Sequence, residues 1–185
     1  MSLKAVHYIN QFYAGIGGET MADTGFGILE EKKGPALGLE QLWNGEMTIS
    51  KVVYCGDNYV NTDENYGEVK AKLAKVIREE KPDVFIAGPA FNAGRYGVAC
   101  AKVCDYVRSE LGVPSVTCMW HENPAIGMYV ENNYIVPSTE TAVGMRKTLP
   151  ALAKLALKLA RKEKIGTAHA EGYLPTGHRY NEYSD

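Results

Sequence analysis

The sequence predicts a three-layer α/β fold on a mostly parallel sheet, and three observations carry that prediction. Short apolar runs rich in Val and Ile recur along the chain, at 3–10, 49–55, 84–87 and 113–119. Segments with helical apolar spacing lie between them, and polar loops rich in Gly, Asn or Pro follow the runs. Strands that alternate with helices fold as a parallel sheet covered on both faces, of the flavodoxin-like or Rossmann-like kind.

Residues 3–10 (LKAVHYIN) make the first strand, and the glycines at 15, 17 and 18 end regular structure in a flexible loop. The stretch 21–38 is rich in Gly and charge and breaks at Gly34-Pro35, after which 36–44 forms a short helix ending near Gly45. Residues 49–55 (ISKVVYC) are β-branched and apolar and stop at Gly56-Asp57-Asn58, as a buried second strand does. From 64 to 80, Tyr66, Val69, Leu73, Val76 and Ile77 recur at three- and four-residue steps opposite Lys and Glu, an amphipathic helix. Pro82-Asp83 opens the third strand at 84–87, which runs into the loop 88–97 and a helix ending near Leu111-Gly112. The fourth strand spans 113–119, broken near its start by Pro114. After the polar loop 120–124, the runs 128–130 and 134–136 read either as a hairpin across Asn132-Asn133 or as a single late strand. Ser138 offers an N-cap to a final helix through Lys162, which Pro150 must kink or restart. Residues 1–165 thus form one α/β domain, and 166–185, with Gly and Pro breaks and no periodicity, read as an extended tail or linker.

Composition excludes several classes. A chain of 185 residues with 45% hydrophobic residues buries a full core. Its 20 Lys and Arg against 22 Asp and Glu leave no basic excess to hold nucleic acid. No apolar run approaches the ~20 residues of a membrane helix. The N-terminus has no basic, long-apolar, small-residue signal pattern, so a cytoplasmic location is expected. The cysteines at 55, 100, 104 and 118 are embedded in apolar segments and read as reduced thiols. Neither a dinucleotide fingerprint nor a Gly-Lys-Ser/Thr phosphate loop is present.

Ligands of open α/β sheets sit beyond the carboxyl ends of the strands, which places the loops 15–19, 56–61, 88–97 and 120–123 around one cleft. In the third loop Gly88 and Gly94 allow close backbone approach, while Asn92 and Arg95 stand at a helix start that favours an anion. The same residues also suit a plain turn with an Asn cap. His121-Glu122 is either an acid–base pair or a solvated loop pair. Cys100 and Cys104 share an apolar stripe with Val103, Val107 and Leu111, which favours packing over redox or metal chemistry. His7 reads as a core residue; His169 and His178 have no metal-ligand spacing, and no metal is expected. The last helix puts Leu152, Leu155, Ala156 and Leu159 opposite Lys154, Lys158, Arg161 and Lys162, a basic face that is either solvated or a partner contact.

The order of motifs adds a resemblance. Val6-His7-Tyr8-Ile9-Asn10-Gln11-Phe12-Tyr13-Ala14-Gly15-Ile16-Gly17-Gly18-Glu19, Cys55-Gly56-Asp57, Ala87-Gly88-Pro89-Ala90-Phe91-Asn92-Ala93-Gly94-Arg95-Tyr96-Gly97, Glu122-Asn123-Pro124 and Gly144-Met145-Arg146-Lys147 follow one another. From about Lys4 to Tyr173 the chain resembles the N-terminal half of the selenoprotein B subunit of the glycine/sarcosine/betaine/D-proline reductase family. The resemblance implies an oxidoreductase role in amino-acid fermentation, through reductive C–N cleavage of glycine or its N-methyl derivatives. It implies as partners a pyruvoyl-containing component B subunit and selenoprotein A, within an oligomeric, anaerobic, cytoplasmic system. The family's selenocysteine followed by Cys has no counterpart in this sequence, so the redox centre is expected outside this chain. Within the cleft, Asn92 and Arg95 are expected to hold the substrate carboxylate, with Tyr96 and Asn123 beside them. Glu19, Asp57 and Glu122 would face the amine, and His121, with Glu122, would relay a proton. The alternative is a non-catalytic docking domain for the pyruvoyl subunit.

Overall fold

The computed structural model describes residues 2–175. Its elements are β1 (Leu3–Asn10), β2 (Gly27–Leu29), α1 (Ala36–Trp43), β3 (Met47–Cys55), α2 (Asp57–Val60), α3 (Asp63–Glu80), β4 (Val84–Ala87), α4 (Gly94–Leu111), β5 (Ser115–Met119), α5 (Ala125–Tyr129), β6 (Tyr134–Pro137), α6 (Met145–Ala160) and α7 (Ala168–Glu171). One six-stranded sheet runs β2-β3-β1-β4-β5-β6. Every pairing is parallel except that of the edge strand β2 with β3.

Alternation along the strands splits the core into two layers, as a sheet covered on both faces requires. In β1, Ala5 and Ile9 pack with α1 and α6, whereas Val6 and Tyr8 pack with α3 and α4. The predicted α/β architecture is therefore the observed one. Without β2, the parallel strands taken in chain order lie 2-1-3-4-5, the flavodoxin-like order. The chain reverses direction across the sheet between β1 and β4, which opens a crevice between the loops that follow them. Leu152 of α6 is fully buried against the sheet. Leu152→Ala is expected to cost about 2–5 kcal/mol, read as a lowered urea midpoint at unchanged slope.

Four local readings are corrected. Residues 128–130 are not a strand: 125–129 form α5, started by the Asn123 Oδ1 that accepts from the Ala125 N–H at 3.0 Å, and β6 is the single late strand. Ser138 does not cap the last helix, because its hydroxyl donates to the Thr139 carbonyl; a 3-10 turn at Ala142–Gly144 leads into α6 instead. Pro150 lies in the second turn of α6 on its exposed side, and the helix continues through it to Ala160. Finally, 166–175 is not extended. Thr167 caps α7, the buried Tyr173 stacks edge-on against Tyr134 at 4.9 Å, and the Leu174 N–H donates to the Ile135 carbonyl of β6 at 2.7 Å. The rest of the predicted tail, with His178, lies outside the described residues.

The amphipathic reading of the last helix holds, and its basic face is partly used within the chain. Lys158 pairs with Glu171 at 2.7 Å, and Arg161 pairs with Glu46. Among the described residues no helix is long and apolar enough to cross a membrane.

Candidate functional site

A crevice of about 310 Å³ lies at the switch point, lined by Asn10, Gln11, Phe12, Tyr13, Gly18 and Glu19 from the loop after β1. Asp57 after β3, Ala90–Ala93 after β4, Tyr96 of α4, and Thr141 and Ala142 before α6 complete its walls. A larger hollow beside Arg78, Asp83 and Glu110 lies at the opposite end of the sheet. Ligands of this fold bind at the carboxyl ends of the strands, so the switch-point crevice is the candidate site.

Two buried amides build its floor. Asn10, the last residue of β1, accepts at Oδ1 from the N–H groups of Phe12 and Tyr13, both at 3.1 Å, which turns the chain sharply off the strand. Its Nδ2 donates to Asp57 Oδ2 at 3.0 Å. Gln11 Oε1 accepts from the Asp57 N–H at 3.1 Å. Burial raises the Asp57 carboxyl to about 6, against the pull of hydrogen bonding from Asn10 and Gln11. Its Oδ1 has no close hydrogen-bond partner. The buried hydroxyls of Tyr8 and of Tyr96, which lies beside the Cys100 thiol, are also without a nitrogen or oxygen partner. Burial pushes both phenols well above their usual range, so they stay neutral hydroxyls.

The crevice is lined by acidic and uncharged polar groups. The lining contains two carboxylates, Asp57 and Glu19, and no Lys, Arg or His. α4 begins without a side-chain cap just after the lining residues Asn92 and Ala93, so the positive end of that helix lies at the crevice wall, next to the Glu19 carboxylate that Arg95 of its first turn holds. At Gly88 the backbone takes a positive φ of 91° as β4 ends, and an added Cβ would lie 2.9 Å from the Ala90 N. Glycine is therefore required for the loop to fold back toward this helix start.

Of the predicted site residues, Glu19, Asp57, Asn92 and Tyr96 line the crevice. Arg95 does not. Its exposed guanidinium binds the Glu19 carboxylate and the Asn58 side-chain oxygen, and it faces an adjoining groove with Val98, Pro124 and Met128. Asn123 is buried and spent on structure, donating to the Phe91 and Ala93 carbonyls and accepting from the Ala125 N–H, each at 3.0 Å. His121 and Glu122 are exposed on the turn between β5 and α5, with the His121 ring 4.2 Å from that of Trp120, and neither lines the crevice. Sequence reasoning missed Asn10 and Gln11. Two amides directly after the apolar run of β1, at its carboxyl end, were the available signal.

All four cysteines are buried. Burial pushes the Cys55 thiol up to about 12 and raises those of Cys100, Cys104 and Cys118 as well, so none is an activated nucleophile at neutral pH. His7 is a core residue, as expected: Nε2 donates to the Gly88 carbonyl at 2.8 Å, and burial lowers its pKa to about 4. Among the described residues no three of His, Cys, Asp and Glu converge to hold a metal ion.

Strand order and layers together define a flavodoxin-like α/β domain with a crevice at its switch point. Residues 2–185 match the profile of glycine/sarcosine/betaine reductase selenoprotein B, and the chain belongs to that family. It is 44% identical over 183 residues to the glycine reductase complex component B subunit gamma of Peptoclostridium litorale, covering 99% of this chain and 42% of the relative. The sarcosine reductase complex component B subunit beta of Peptoclostridium acidaminophilum is 41% identical over 183 residues, covering 99% and 42%. The betaine reductase complex component B subunit beta of the same organism is 37% identical over 182 residues, covering 98% and 41%. The chain thus spans about two fifths of the length of these relatives. No solved structure matches it.

Proposed function

We propose that this chain forms the amino-acid-binding part of component B in a glycine, sarcosine or betaine reductase, and so takes part in reductive C–N cleavage. The acidic lining at Asp57 and Glu19, together with the uncapped start of α4 beside Asn92, is the observation that supports this reading. A zwitterion seated there sets its carboxylate on the free N–H groups at the start of α4, beside Asn92. Its cationic nitrogen then faces Asp57, with Glu19 and the Tyr13 ring also on the lining, where opposite charge and an aromatic face both favour a cation. Arg95 acts indirectly in this arrangement by holding Glu19 in place.

The thiols of this chain are too hard to ionise to serve as the nucleophile. On this reading the selenocysteine and the pyruvoyl group belong to other polypeptide, with the pyruvoyl-containing subunit and selenoprotein A as partners in a cytoplasmic, oligomeric complex. His121 and Glu122 have no part in the crevice chemistry.

Calorimetry of the chain with glycine, sarcosine and betaine tests the proposal. Saturable binding of at least one of them, weakened at least tenfold by Asp57→Asn, is the expected result. No binding of any of the three overturns it. Arg95→Ala is expected to weaken binding only a few-fold through release of Glu19. Because the pair is exposed, that substitution should change folding stability by less than about 1 kcal/mol in the same preparation.

A further inference from the structure

The mouth of the crevice is apolar where a free surface is usually polar. Phe12, on the rim itself, is 60% exposed. Val143, next to the lining residue Ala142, is 97% exposed, and Met21, packed over Gly17 beside the lining residue Gly18, is 41% exposed. Across the clasp between Glu19 and Arg95, Met128 is 62% exposed in the adjoining groove. These side chains come from three separate segments, after β1, β5 and β6, each of which follows the carboxyl end of a strand. A cluster of large apolar groups around a binding mouth marks a surface that another body covers.

From this we infer that the collar of Phe12, Met21, Met128 and Val143 is the seat of the polypeptide that, in the longer relatives, lies outside the region matched by this chain. That inference rests on the crevice being the amino-acid site. Two observations favour this occupant over a second copy of the chain. The crevice lining holds carboxylates, amides and aromatic groups but no ionised thiol, Lys or His, so groups that react with a bound amine must be brought to it. They can reach a ligand only through the mouth that the collar surrounds. About three fifths of each relative also lies beyond the match, which is ample polypeptide to cover such a surface. A second copy would bring only the same lining. Seated on the collar, the added polypeptide closes the crevice to water and strengthens every charge interaction inside it.

Oxidative footprinting of the 185-residue chain tests this, alone and joined to the unmatched portion of the Peptoclostridium litorale subunit, with co-expression of the two pieces if the joined protein does not fold. The four collar residues should be protected about tenfold in the larger protein. Ile28 on the β2 edge and Leu42 on α1 should keep their reactivity. Val143→Asp, a change at a fully exposed site, should leave the melting temperature of the lone chain unchanged and restore the reactivity of the other collar residues in the larger protein. Unaltered collar reactivity, protection at Ile28 or Leu42 instead, or collar protection through self-association of the lone chain overturns the inference. Calorimetry with the amino acids reports separately on the crevice, so glycine binding with an uncovered collar removes this inference alone.

Discussion

Asp57→Asn is expected to make the protein more stable at neutral pH and, at the same time, a much poorer binder of amines. The folded pKa of Asp57 is raised from 3.8 to about 6, so the folded state holds the proton more tightly than the unfolded chain does. Stability is therefore fully present below about pH 3.8 and lost as pH rises through 6, a loss of about 2–3 kcal/mol by pH 7. Asparagine keeps an oxygen for the Asn10 amide and the backbone N–H for Gln11 but carries no charge, so it escapes that loss. His7 works in the opposite sense. Its folded pKa of about 4 lies below the usual 6.5, so its contribution is present above pH 6.5 and lost as pH falls through 4. Between pH 4 and 6 the two slopes oppose each other and flatten the wild-type profile. Urea denaturation from pH 4 to 8 should show the variant gaining on the wild type as pH rises, with the difference near zero at pH 4. A difference that does not depend on pH would mean that Asp57 ionises freely. Amine binding should follow the reverse course, rising in the wild type as pH passes 6 and staying flat in the variant.

The fold was legible in the sequence wherever one segment buries a whole face. The runs at β1, β3 and β4 and the spacing of Val69, Leu73, Val76 and Ile77 in α3 are periodic because each packs against a continuous layer. Short pieces carried no such signal. The three residues of β2 read as a charged, Gly-rich stretch, since its pairing is decided by the neighbouring β3 rather than by its own pattern. In α5, Met128 and Tyr129 resemble a strand in type, but the Asn123 side chain sets the helix start. Residues 166–175 lack periodicity because their docking rests on single contacts, Tyr173 on Tyr134 and Leu174 on β6. Within the site, topology brought the loops after β1, β3 and β4 to one crevice, with Glu19, Asp57, Asn92 and Tyr96 on its lining, but not the loop at 120–123. Side-chain direction is a tertiary property. Arg95 looked suited to a carboxylate and found one, that of Glu19, while Asn123 looked like a ligand group and turned out to be a staple.

The staple leads to the second large effect. Asn123 donates to two carbonyls of the loop after β4 and accepts from the first N–H of α5; in Asn123→Ala those carbonyls keep the Trp120 and Gly97 N–H groups, but the Ala125 N–H loses its acceptor and the loop loses its tie to α5. A total cost of about 1–3 kcal/mol is expected, most of it at the Ala125 N–H. Because Asn92 and the start of α4 hang on the same loop, amino-acid binding should fall along with stability. Gly97→Ala should destabilise to a similar degree for a related reason: its Cβ would stand 2.4 Å from both the nitrogen and the oxygen of the Asn123 amide. The two substitutions therefore share one cause and must not add. With Ala at 123 the space that a methyl group at 97 needs is empty, and the double variant should be little worse than Asn123→Ala alone. A coupling of at least about 1 kcal/mol in a double-mutant cycle is the expected outcome. Full additivity would show that the Gly97 methyl is accommodated by movement of α4 rather than opposed by the staple, and that the start of α4 is not fixed where the crevice needs it.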